Sequence, residues 1–264
     1  MTKHHLLAIL IVVLLGCNFF ATGQKLPNKQ ETSVYAPAEI KIDGKATEWH
    51  DIFQAYNHAV ETWYTISNDE NNLYLVFRSN ETEVTQKIIT GGITVAIGSV
   101  DKKSELTPVS ITYPVVPWMN AQVDYLLKPS GPVKDADVKF LNKKINDQLK
   151  EIKISGVKSI PDASVSIYND LGIKGAHLLD NQKNYTCEMV LPLSYIKHLI
   201  DDKGTFAYRV QVTGIDLKTT IIVGGRSSAD PAAPSADAIP HGLLYDTSPT
   251  YFTATYTLAK KSDR

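Results

Sequence analysis

Apolar and polar residues alternate with a period of two along much of this chain, the pattern of strands that bury one face. Val60–Ile66 (VETWYTI) and Asn72–Arg78 (NLYLVFR) flank the turn-forming cluster Ser67–Asn71 (SNDEN), so the three segments together predict a β-hairpin. Further strands are expected over Ile93–Ile97, Val109–Tyr113, Val165–Tyr168, Ala176–Leu179, Tyr185–Leu191, Ala207–Thr213, Thr219–Val223 and Tyr251–Leu258. Many short strands separated by turns predict a mostly β fold, an antiparallel β-sandwich or barrel with one or two added helices. The period changes over Asp137–Ile152, where Val138, Leu141, Ile145 and Leu149 fall at helical spacing with Lys139, Lys143, Lys144 and Asp147 on other faces. An amphipathic helix is expected there, and a shorter one over Pro192–Asp201, with Leu193 and Ile196 inward. Pro117 suits the first turn of a third helix running to about Lys128. Gly224–Pro240 (GGRSSADPAAPSADAIP) lacks apolar periodicity and reads as a long loop within one domain.

The amino terminus has a different pattern. Lys3 precedes the unbroken apolar run Leu6–Leu15, too short to span a bilayer comfortably, which is the layout of an export signal. Two processing sites fit. Leu14-Leu15-Gly16-Cys17 resembles a bacterial lipobox, leaving residues 1–16 as leader and a lipidated Cys17; Ala21-Thr22-Gly23 would instead end a signal peptide at residue 23. Either places the protein in the cell envelope or outside the cell, with a membrane contact only through the lipid on Cys17. The mature chain then divides into a polar leader over 24–33, a β-sandwich domain over 34–258 and a polar tail over 259–264.

Composition narrows the functional classes. With 27 Lys+Arg against 28 Asp+Glu and no basic run, nucleic acid is not an expected partner. Of two cysteines, Cys17 is lipidated or removed, so Cys187 has no partner for an intrachain disulfide. It shares a strand face with Tyr185, Met189 and Leu191, the placing of a buried and inert thiol. His50, His58, His177, His198 and His241 lack the short spacings of a zinc site. The acidic pairs Asp69-Glu70 and Asp201-Asp202 fall in turns, where solvated charges are expected. Neither a G-x-S-x-G sequence nor a phosphate-binding glycine loop is present, so no catalytic or metal-binding residue is assigned.

Several fragments in order resemble family 9 of the carbohydrate-binding modules. Ile42-Asp43-Gly44-Lys45-Ala46-Thr47-Glu48-Trp49 is similar to that family's IDG-x-x-x-E-W opening, and Asn68–Leu75 to its D-E-x-x-L-Y hairpin. Gly92–Ile97 stands at its next central strand, Tyr185–Leu193 resembles its E-x-x-I-P-L strand, and Phe206–Gly214 fits the strand that follows. The resemblance implies a β-sandwich of the DOMON-like superfamily, which includes sugar-binding and haem-binding members. It also implies a tryptophan pair that sandwiches a sugar. Lys87-Ile88-Ile89 and Leu244–Ser248 stand near those two positions, so neither tryptophan is present and no binding residue carries over.

A sugar needs flat apolar faces flanked by polar groups. Trp118 and Tyr245 are the aromatic residues placed outside strand cores and are the candidate ligand-binding residues, with packing under the extra helix the competing role for Trp118. Trp49 and Trp63 are expected in the core. The resulting expectation is an exported, non-catalytic domain that binds a glycan or another small ligand, with no cofactor identified. A haem-binding domain, with Met119 or a histidine as axial ligand, and an envelope scaffold that contacts another protein are the competing classes.

Overall fold

A computed structural model of the chain describes residues 25–101, 107–115, 135–214 and 248–261. These form a two-sheet antiparallel β-sandwich. The first sheet orders β1 (Val34–Tyr35), β3 (Thr62–Asn68), β4 (Asn72–Ser79), β10 (Tyr185–Pro192) and β9 (Lys174–Leu179), with β2 (Ala55–Asn57) also paired to β3. The second orders β12 (Thr250–Thr257), β11 (Thr205–Val212), β5 (Ile93–Gly98), β6 (Val109–Val115), β7 (Glu151–Ser155) and β8 (Ser164–Ser166). Apart from the short β1–β3 bridge, every pairing is antiparallel.

The predicted hairpin is β3–β4. Its turn is held by Asp69, whose Oδ1 accepts from the backbone N–H of Asn71 at 2.7 Å and of Asn72 at 2.6 Å. Asp201 organises the turn before β11 in the same way, accepting from the N–H of Lys203 and Thr205. Both acidic turns thus use a short carboxylate as a local acceptor for backbone donors.

Strand alternation builds the core between the sheets. Tyr64, Ile66, Leu75 and Phe77 of the first sheet meet Val95, Ile97, Ile111 and Val210 of the second, all with at most 1% of their surface exposed. Tyr185, Cys187, Met189 and Leu191 point into this core from β10. The opposite face of the first sheet is buried too. Ala36, Ala46, Trp49 and Phe53 lie over Tyr74, Val76 and Val190 as a second cluster, against which Trp63 packs while partly exposed. The Trp49 indole donates to Ser67 Oγ at 3.1 Å. Gly44 makes this cover possible: its φ is +83°, and a Cβ there would stand 2.3 Å from the backbone carbon of His177. The second sheet keeps the half-buried pattern on its outer side, with buried and more exposed positions alternating along β5, β11 and β12.

Among the described residues two helices flank the sandwich. The sequence-based reading missed α1 (Thr82–Gly91), which packs Val84, Ile88 and Ile89 against both sheets. Gly92 caps this helix at φ +78°, its N–H donating to the Ile88 carbonyl, and β5 begins at Ile93, where the strand over Ile93–Ile97 is expected. The second helix, α2 (Asp135–Gln148), ends earlier than the expected Asp137–Ile152. Ile152 and Ile154 are buried between exposed neighbours in β7, because a period of two replaces the helical one after Leu149. Asn142 of α2 donates to the Leu179 carbonyl at 2.7 Å and accepts from its N–H at 2.9 Å, so it covers the edge strand β9 like a neighbouring strand. In place of a helix over Pro192–Asp201 there are two 3-10 turns, Leu193–Tyr195 and Lys197–Leu199. The expected strand over Thr219–Val223, the helix from Pro117, the loop Gly224–Pro240 and the export signal lie outside the described residues.

Candidate functional site

Trp118, Tyr245 and Cys17, the residues singled out from sequence, lie outside the described residues, as does Met119. Among the described residues, the second cluster covers the outer side of the first sheet, and the larger groove lies against the outer face of the second. Register across it sets Arg209 of β11 between Ala96 of β5 and Thr253 of β12, and in the next outward row Ala207 between Gly98 and Thr255. Alanine and glycine at three of these six positions keep the floor low. A groove of about 820 Å³ results, within the size range of small-molecule sites, and Lys29 and Gln30 also line it.

The amino-terminal segment is anchored at the groove by buried hydrogen bonds. The Gln30 side chain accepts from the Ile66 N–H at 2.7 Å and donates to the Ile66 carbonyl at 2.8 Å. Its backbone N–H donates to the Tyr64 hydroxyl at 2.8 Å, which in turn meets the Tyr208 hydroxyl at 3.2 Å. The chain beside Lys29 is therefore tied to the β3 edge. Arg209 is also oriented: it donates from Nη2 to Gln211 Oε1 at 2.9 Å, and its guanidinium carbon lies 3.7 Å from the centre of the Tyr251 ring. That ring is 53% exposed on the same face. A permanently charged planar donor, threonine hydroxyls and an aromatic ring thus share one open surface.

Other polar groups are sealed away from solvent. Between the sheets the Tyr113 hydroxyl meets His177 Nδ1 at 2.9 Å, and the His177 ring stacks on Tyr185 at 5.6 Å. Burial lowers His177 to about 4, so it is neutral at neutral pH, and pushes the Cys187 thiol up, which makes it a poor nucleophile. On the covered face of the first sheet, Glu188 Oε2 accepts from the N–H groups of Asp43 at 2.9 Å and Gly44 at 2.7 Å. Burial pushes this carboxyl up to about 7, against the lowering effect of those two bonds. A second recess, of about 320 Å³, is lined by Glu61, Glu81 and Glu83 beside Tyr56. Among the described residues no group of three or more His, Cys, Asp or Glu side chains is arranged to hold a metal ion.

No protein-family model matches the sequence, and a search of curated proteins gives no significant match. The groove residues were missed from sequence because they come from segments far apart in the chain. Alternation alone could have placed Arg209 and Tyr251 on the polar faces of their strands; their adjacency depends on the β11–β12 register.

Proposed function

We propose that this chain is an exported, non-catalytic binding domain whose ligand is a carbohydrate held in the groove on the outer face of β5, β11 and β12. The carrying observation is the groove itself, of about 820 Å³, lined by an oriented guanidinium and threonine hydroxyls, with the exposed Tyr251 ring packed on that guanidinium beside it. Sugars present C–H faces that pack on rings and hydroxyls that exchange hydrogen bonds with such groups. The ordered resemblance of Ile42–Trp49, the hairpin and β10 to family 9 carbohydrate-binding modules supports the same reading. So does the amino-terminal export signal, since polysaccharides are met outside the cytoplasm. Trp118 and Tyr245 remain the sequence-based candidates for further aromatic contacts.

One stacked ring contributes about 0.5–1.5 kcal/mol beyond its area, so a single glycan chain should bind weakly, at about millimolar Kd. Affinity electrophoresis against a panel of plant, algal and bacterial polysaccharides tests the proposal. Retention by the wild type, lost in Arg209→Ala and Tyr251→Ala without a large fall in Tm, is the expected result, because both side chains are on exposed positions. No retention by any polysaccharide would overturn it. Mass spectrometry of the mature protein should find acylated Cys17 or a new terminus at Gln24; an intact Met1 would remove the export part.

A further inference from the structure

We infer that the ligand of this groove is an anionic glycan, bearing uronate carboxylates or sulfate esters that are met by Lys29 and Arg209. This rests on the carbohydrate reading above and adds the ligand's charge to it.

The lining is one-sided. Among the described residues it includes two cationic side chains, Lys29 and Arg209, and no Asp or Glu. The chain as a whole is balanced, at 27 basic against 28 acidic residues, so the bias belongs to this surface and not to the composition. Neither cation forms an ion pair with a carboxylate among the described residues, where the salt bridges are Lys45–Asp43, Arg78–Asp51 and Lys143–Asp147. With one face of its guanidinium against Tyr251 and one Nη2 bond spent on Gln211, Arg209 keeps in-plane donors for an anion. That planar fork matches the paired oxygens of a carboxylate or sulfate.

The acceptors point the same way. A neutral sugar offers hydroxyl hydrogens and is usually held by carboxylates or amide oxygens as well as donors. Here the amide oxygen of Gln30 is already taken by the Ile66 N–H, and the described lining has no carboxylate to offer. The side chains left for donated hydroxyl hydrogens are Thr253, Thr255, Ser99 and the Tyr208 phenol, whose oxygen is engaged with Tyr64. Donor-rich and acceptor-poor, this surface complements a sugar that carries acceptor oxygens of its own.

The test compares matched pairs in affinity electrophoresis: polygalacturonate against its methyl ester, and a sulfated galactan against its desulfated form. Polyacrylate serves as a polyanion without sugar. The wild type should be retained by at least one anionic member and about tenfold less by its neutral partner, with retention falling as salt is raised. Retention by the first pair alone identifies a carboxylate, by the second alone a sulfate ester. Arg209→Gln and Lys29→Gln, both at exposed positions, should each weaken retention by the anionic member about tenfold with Tm unchanged. Equal retention of charged and neutral partners would overturn the charge inference while leaving the carbohydrate reading intact. Retention by polyacrylate as strong as by the anionic glycan, or by no glycan at all, would overturn both.

Discussion

Replacing Glu188 by glutamine should stabilise the domain above neutral pH. In the fold the carboxyl is fully buried, with Oε2 accepting from Asp43 and Gly44 and Oε1 lacking a partner among the described residues. Its proton is therefore held to about pH 7, against 4.5 for a free side chain. Between those two values the folded state binds a proton that the unfolded state has lost, so stability falls as pH rises and stays low above about 7. At 1.36 kcal/mol per pH unit, the loss comes to about 3 kcal/mol. His177 acts in the opposite sense. Held neutral down to about pH 4 against 6.5 when free, it contributes stability that is present above 6.5 and lost as pH falls towards 4. From 4.5 to 6.5 the two slopes oppose each other and nearly cancel in the wild type. Glutamine keeps an acceptor oxygen for the two N–H groups and mimics the protonated carboxyl, so it removes only the Glu188 slope. Urea unfolding of both proteins across this range should show Glu188→Gln gaining stability from about pH 4 to 6.5, where the wild type is nearly flat. At about pH 8 the variant should be the more stable by about 3 kcal/mol. A variant no more stable than the wild type at that pH, or one with the same pH profile, would refute the reasoning.

Three further outcomes follow from packing. Gln30→Ala leaves the buried N–H and carbonyl of Ile66 without their side-chain partners and should cost about 2–4 kcal/mol in thermal or urea unfolding; an unchanged Tm would show that the clamp is dispensable. Gly44→Ala forces a Cβ to 2.3 Å from backbone at φ +83° and should lower Tm more than alanine at exposed Lys45 does, with equal effects contradicting the close approach. The Cys187 thiol should react with a disulfide reagent only as the domain unfolds in denaturant; immediate labelling of the native protein would contradict its burial.

How legible each part was depended on how local its signal is. The β3–β4 hairpin and the inward face of β10 were readable because alternation and turn chemistry lie within a few residues. Helix α1 was not, since Thr82, Val84, Thr85, Ile88, Ile89 and Thr90 are β-branched, and packing against both sheets overrides that preference. At the end of α2, Ile152 continues the three-residue spacing from Leu149, which hid its alternation with Ile154 in β7. Strands β1 and β2, of two and three residues, are too short to show a period. At the groove, composition gave no warning, because Lys29, Ala96, Arg209 and Thr253 meet only through sheet order and the Gln30 clamp. The polar pairing of Tyr113 with His177 likewise joins strands from opposite sheets.

The central claim, that a glycan occupies the outer face of β5, β11 and β12, is tested most directly by amide chemical-shift mapping of the mature protein. Titration with an oligosaccharide from the polymer that best retains the protein should shift the amides of Ala96, Gly98, Ala207, Arg209, Thr253 and Thr255 together, with one saturating curve. Signals from the covered face of the first sheet, such as Val76 and Val190, should stay in place. Saturating shifts confined to other surfaces, with the β5, β11 and β12 amides unmoved, would contradict the account.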